Sequence, residues 1–125
     1  MRRPGTNPND VQPSDVLCDY CHRAWTDDIA MLEGHQGSCV CEACLTAAFV
    51  SVVRDKANTA PAGYKCRMCL ENEDDRAAQN RPGEPGWTSP KFADAVICRR
   101  CIKLGAGALD KDADHAWTRP VADDG

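Results

Sequence analysis

The chain has 125 residues, with 15 Lys and Arg against 19 Asp and Glu, a formal charge of −4, and 9 cysteines. That length holds one ordinary domain or two very small ones, and with only 6% aromatic residues it cannot build a large conventional core. A membrane span of ~20 apolar residues is absent, no apolar stretch follows Arg2 and Arg3 as in a secretory leader, and the negative balance weighs against general affinity for phosphate backbones. A cytoplasmic location is expected, and there a cysteine-rich chain points to metal rather than to a disulfide framework.

Residues 1–15 carry Pro4, Pro8 and Pro13 among Gly, Asn and Asp without hydrophobic period, and read as a disordered arm. Cys18-Asp19-Tyr20-Cys21 is the first of four C-x-x-C pairs. Ile29 to Leu32 predict a short strand ending at Gly34, and Val40 leads into the second pair, Cys41 and Cys44, so a hairpin is expected between them. Beyond Cys44, Leu45, Ala48, Phe49, Val52, Val53 and Lys56 share one face of a helix. Residues 58–63, with Pro61 and Gly63, read as a linker. The third pair, Cys66 and Cys69, precedes a polar stretch rich in Pro and Gly (71–90), expected as a long loop whose acidic run Glu71 to Asp75 is solvated. Phe92 to Ile97 then feed Cys98 and Cys101, and Ile102, Ala106 and Leu109 continue as a short helix weakened by Gly105 and Gly107. Residues 111–125 read as a loose acidic tail. The halves 16–57 and 64–110 follow one plan, as an internal duplication would.

A C-x-x-C knuckle sets two sulfurs on one side of a tight turn, each able to reach an ion at ~2.3 Å, and two knuckles close a tetrahedron of the structural kind. The intervals favour sequential pairing, because the stretch between the second and third knuckles is filled by a helix and a linker rather than kept short as in a cross-braced module. The expected ligands are Cys18, Cys21, Cys41 and Cys44 for one zinc, and Cys66, Cys69, Cys98 and Cys101 for a second. Iron meets the same geometry, but zinc is the expected occupant. Cys39 is left over: Cys39-x4-Cys44 also lies within ligand spacing, so it stands as an alternative to Cys41, or as a small buried or reactive thiol. His22 and His35 lie off the knuckle spacing and read as surface residues. Trp25 is expected to be packed, and Trp87 and Trp117 to be partner anchors or plain loop residues.

Leu17-Cys18-Asp19-Tyr20-Cys21, Met31-Leu32-Glu33-Gly34 and Val40-Cys41-Glu42-Ala43-Cys44-Leu45 together resemble the zinc-binding N-terminal domain of the bacterial ClpX unfoldase. The resemblance covers residues 16–57 and implies a treble-clef finger, zinc on those four cysteines, and a dimerising platform for substrates and adaptor proteins. No G-x-x-x-x-G-K motif follows, so unfolding activity is not implied. Outside that segment the ligand assignment rests on spacing alone.

The expected fold is therefore a small, metal-stabilised α+β chain of two tandem treble-clef-like modules, each knuckle, hairpin, knuckle and short helix. No acid/base or nucleophile constellation accompanies the cysteines, and four pairs in series are not the isolated pair of a thiol redox centre. A non-catalytic protein-recognition role, as adaptor or regulator, is expected. A module of this size leaves part of its helix uncovered, which makes Val52 and Val53 a contact for the other module, a second copy of the chain or a partner, and Phe49, Val52 and Val53 the candidate partner-binding residues. Each tetrathiolate zinc carries about −2 and deepens the negative charge, so the basic residues Lys65, Arg67, Arg99, Arg100 and Lys103 around the second site either offset the thiolates or form a patch for phosphate or an acidic partner. The latter gives the alternative of a nucleic-acid-associated zinc protein.

Overall fold

A computed structural model describes residues 1–120. The elements are β1 (Met31–Glu33), β2 (Cys39–Cys41), α1 (Glu42–Phe49), α2 (Glu73–Ala78), β3 (Gly86–Thr88), β4 (Val96–Cys98) and α3 (Arg99–Lys111). They form two separate two-stranded antiparallel sheets: β1 pairs with β2, Met31 opposite Cys41, and β3 with β4, Gly86 opposite Cys98. Among the described residues no helix is long and apolar enough to cross a membrane.

Each hairpin hands its second strand directly to a helix that carries the second knuckle. The chain crosses Gln36 (φ 56°) and Gly37 (φ 76°) to turn from β1 into β2. Cys41, still extended, then caps α1, its sulfur accepting the amide of Cys44 at 3.5 Å, and Glu42 in the first turn suits the positive end of the helix dipole. After Phe49 the winding widens to a π-type turn over Val50–Arg54, with the Asp55 amide on the Val50 carbonyl at 2.9 Å. The valines of this stretch crowd the preceding turn at χ1 and are poor α-formers, so the expected helix reaches its expected length with a change of pitch.

The halves repeat their backbone bonds. His22 N–H reaches the Cys18 carbonyl as Leu70 N–H reaches that of Cys66, both at 2.8 Å. Asp19 binds the carbonyl of Cys39 at 2.9 Å and Arg67 that of Val96 at 2.8 Å, while Glu42 binds Ala30 and Arg99 binds Pro85, both at 3.0 Å. The middle of each knuckle also reaches into the other half. The Tyr20 hydroxyl donates to the Val96 carbonyl at 3.2 Å, Ser89 Oγ donates to the Tyr20 carbonyl, and His35 N–H donates to the Met68 carbonyl at 2.7 Å. A Cβ on Gly34 would stand 2.6 Å from that Met68 oxygen, so only glycine admits this approach.

The two halves share one core. Leu45, Ala48, Phe49 and Val52 from the first pack in a single cluster with Ile97, Ile102, Ala106 and Leu109 from the second, and α1 lies against α3. Gly105 makes this crossing close: a Cβ there would sit 3.0 Å from methyl carbons of Leu32 and Leu45. The residue expected to weaken the helix is where the helix docks. Phe49 (3% exposed) and Val52 (1%) are consequently buried, and Val53 half-buried. The expected partner-binding role of Phe49 and Val52 is corrected in favour of the other expected cover, the second module, and each buried side chain contributes about 1.5–3 kcal/mol.

Other stretches are also more ordered than their composition suggests. The arm 1–15, expected to be disordered, folds back so that Arg2 pairs with Val16 and the Met1 ammonium donates to Leu17 O, Gly37 O and Asp19 Oδ1 at 2.7–3.0 Å. In the linker, Asn58 Oδ1 accepts the Gly86 amide at 3.1 Å and Thr59 Oγ1 accepts that of Thr88 at 2.9 Å, fastening the segment to β3. The loop 71–90 holds α2, capped by Asn72 and Asp75 in reciprocal bonds of 2.9 and 3.0 Å. Trp87 is buried beside Tyr20, ring centroids 5.9 Å apart, and Trp25 is half-buried. Of the expected loose tail, Trp117 donates from Nε1 to Thr46 Oγ1 at 2.9 Å and packs against the core; residues 121–125 lie outside the described part.

Candidate metal centres

Two four-cysteine groups form. In each, Cys18, Cys21, Cys41 and Cys44, or Cys66, Cys69, Cys98 and Cys101, the sulfurs all lie within 4.8 Å of one another. Cys21 Sγ is 3.7 Å from Cys41 Sγ, and Cys69 Sγ is 3.9 Å from Cys98 Sγ. A tetrahedron with metal–sulfur bonds of ~2.3 Å has edges of about 3.8 Å, whereas a disulfide needs ~2.05 Å; the spacing fits sulfurs arranged around an ion, not bonded to each other. Sequence neighbours along the chain supply each set, as the intervals suggested. Cys41 belongs to its cluster and Cys39 does not. Cys39 is buried with its thiol 3.7 Å from the Gly37 carbonyl, and burial pushes its pKa up.

Local backbone geometry turns amides towards these sulfurs. His22 (φ 61°) and Leu70 (φ 65°) each follow the second cysteine of a knuckle in the left-handed region, which curls the turn under its own sulfurs. Cys18 Sγ accepts the amides of Tyr20 and Cys41, both at 3.3 Å, and Cys66 Sγ accepts that of Cys98 at 3.3 Å. Amide donors favour the charged form. Hydrogen bonds from Cys18 and Cys44 hold Cys41 down to about 4, and the bond from Cys101 leads in holding Cys66 at about 7. Cys44 and Cys101 are pushed the opposite way, chiefly by the sulfurs of Cys18 and Cys66 beside them. A divalent cation would meet all four sulfurs of each group together. The first cysteine of every knuckle, Cys18, Cys41, Cys66 and Cys98, is fully buried, so the groups open to solvent only along one side.

The basic residues around the second group do not converge. Lys65 and Arg67 line a recess with Gln36, Cys66, Leu70 and Asp94, and Arg67 Nε lies 3.7 Å from Asp19 of the other half. Arg99, Arg100 and Lys103 line a different groove, on the outside of α3. The amino end of that helix already has an anion: Glu84 Oε1 accepts the Arg100 amide at 2.7 Å. Phe92, half-buried, stacks on His22 with centroids 3.6 Å apart, joining a knuckle of one half to the loop of the other.

One buried network had no counterpart in the sequence reading. Arg76 is 0% exposed, its guanidinium 3.8 Å above the Tyr64 ring, and it donates to the carbonyls of Glu71 at 2.7 Å and Tyr64 at 2.9 Å. Arg81 bridges Glu71 and Glu84, both at 2.7 Å. These charges hold the third knuckle to the loop that leads to the fourth. The pair Asn72 and Asp75, at capping-box spacing, was the available signal that the loop contains a helix start.

No family model, curated protein or solved structure matches the chain. Its class rests on its own geometry: a small α+β protein with two tetrathiolate groups, each able to hold a metal ion.

Proposed function

We propose that the protein is a zinc-stabilised, non-catalytic protein-recognition module of the cytoplasm, an adaptor or regulator. The observation that carries this reading is the use of the cysteines: eight of nine are committed to two closed tetrahedral groups that flank a shared core, the chemistry of structural rather than catalytic zinc, which keeps an open position. Thiolate sets with tetrahedral spacing suit zinc best among common divalent ions. The order knuckle, hairpin, knuckle and helix supports a treble-clef description of each half. The resemblance of residues 16–57 to the ClpX zinc-binding domain supports a recognition role, because that domain is a dimerising platform for protein partners. Here the second half covers the apolar helix face of the first.

The nucleic-acid alternative is weaker. Its five basic residues divide between two recesses, and Glu84 holds the anion position at α3.

Metal analysis of the purified protein should give two zinc ions per chain, released together with loss of helical circular dichroism on chelation. Protein free of metal with unchanged dichroism would remove the reading.

A further inference from the structure

The shared plan of the halves exposes one difference between them. Matched by their cysteines, Glu42, Thr46 and Ala47 of α1 correspond to Arg99, Lys103 and Leu104 of α3. On α1 this outer face is partly covered by the chain itself, at Thr46 and over Phe49, while Ala47 stays exposed. Residues 112–120 run over it, Trp117 bonded to Thr46 Oγ1 at 2.9 Å, the Arg119 guanidinium 5.5 Å from the Phe49 ring, and His115 Nε2 donating to the Asp27 carbonyl at 2.9 Å. On α3 the corresponding groove is bare among the described residues. It has a volume of about 500 Å3 and is lined by Arg81, Glu84, Pro85, Arg99, Arg100, Lys103 and Leu104. The match includes its wall: the Arg99 amide binds Pro85 as the Glu42 amide binds Ala30, next to the Asp27 segment that the tail touches. There are two grooves and one tail.

The charges at the matched helix starts differ: Glu42 opens α1 and Arg99 opens α3. The segment over α1 pairs its bases with nearby acids, His115 with Asp112 and Arg119 with Asp110 of α3. The bare groove presents Arg99 and Lys103, exposed and without an ionic partner among the described residues, while the carboxylates of Glu71 and Glu84 are taken up by Arg81 and by the helix end. Leu104, 58% exposed, is the most exposed large apolar side chain among the described residues, and it lines this groove.

We propose that the α3 groove is the docking site for an extended acidic segment of a partner protein, with an aromatic anchor seated against Leu104 much as Trp117 is seated against α1. Acidic side chains of that segment pair with Arg99 and Lys103. This rests on the protein-recognition reading and names its surface and the chemistry of its ligand.

The test uses the full zinc-loaded chain and fluorescein-labelled peptides: one with a tryptophan between two pairs of glutamates, one with that tryptophan replaced by alanine, and one with lysines for the glutamates. Anisotropy titrations at low salt should show binding of the first peptide only, weakened by added salt. R99E/K103E and L104D should each weaken it about tenfold or more, and K65E, in the other recess, should leave it unchanged. All of these side chains are exposed, so zinc content and dichroism should match the parent; Lys103→Glu alone serves if the double variant folds poorly. Absence of binding, equal binding of the lysine peptide, or equal affinity for R99E/K103E would each overturn the groove while leaving protein recognition in place. Retention by single-stranded oligonucleotides that R99E/K103E abolishes would overturn both. Self-association at raised concentration that L104D abolishes would give the groove to a second copy and overturn the assignment to a partner.

Discussion

The first and second halves solve one packing problem with different residues, and the contrast shows how two small four-cysteine modules share a core. Facing positions on α1 and α3 trade volume: Phe49 corresponds to Ala106, Ala48 to Gly105, and Val52 to Leu109. All the large members of these pairs are buried, and Gly105 admits Leu45 and Leu32 at van der Waals limit. A duplication that kept identical faces would have clashed or left a void, since close-packed interiors tolerate neither. The helix faces thus differ where the halves touch, while the knuckles, which face their own cysteine groups, keep matching backbone hydrogen bonds.

If the halves form one unit, losing either metal group should unfold both. Cys66→Ser is the largest perturbation. Structural zinc in small peptides is worth on the order of 10 kcal/mol, which exceeds the 5–15 kcal/mol stability of most domains at its lower end. The expected result is loss of dispersed methyl resonances for Leu45 and Val52 in the untouched half, with zinc falling to none. A folded first half carrying one zinc would break the comparison and make the modules independent.

Phe49→Ala comes next, at about 3–5 kcal/mol by chemical denaturation, because it opens a cavity where both halves meet. The glycines then separate packing from propensity. Gly105→Val should cost about 1–3 kcal/mol through contact with Leu32 and Leu45, whereas Gly107→Ala, where a Cβ meets nothing within 4 Å, should stabilise by about 0.5–1 kcal/mol. Equal effects at the two positions would mean that α3 does not dock closely at Gly105.

Much of the candidate site was legible because its signals are local. The C-x-x-C pairs, the strands before them and the helices after them are each encoded within a few residues, and the four sulfurs of a group come from adjacent knuckles. What was missed depends on distant pairs. Phe49 and Val52 read as surplus because their cover arrives from Ile102, Ala106 and Leu109 in the other half. Trp117 meets Thr46 across 71 residues, and Arg76, an ordinary polar residue in a charged run, is buried only because Tyr64 and Glu71 close around it. Composition marked the arm and the tail as irregular, as residues 1–12 and 112–120 largely are, but irregular backbone can still be fastened through its hydrogen bonds.

The smallest expected effect lies in the tail, the feature that distinguishes the covered groove from the bare one. The carboxylate of Asp112, 3.0 Å from His115 Nδ1, leads in raising the His115 pKa, helped by the Asp27 carbonyl on Nε2 and by the charge of Glu42 nearby. Asp112 is held below the usual carboxylate range, chiefly by the Asp114 amide and then by His115. A raised histidine pKa stabilises the docked tail fully below the ordinary histidine value and loses that contribution as pH climbs through the raised one; a depressed aspartate contributes above the ordinary carboxylate range and loses its share as pH falls through the depressed one. The tail should therefore be held best in mildly acidic solution and loosen towards alkaline pH. The Trp117 indole N–H resonance, protected by Thr46, should exchange faster with solvent as pH rises, beyond the base-catalysed increase seen for the same proton in His115→Gln. If parent and variant follow the same curve, His115 does not secure the tail, and the cover over α1 depends on Trp117 and Arg119 alone.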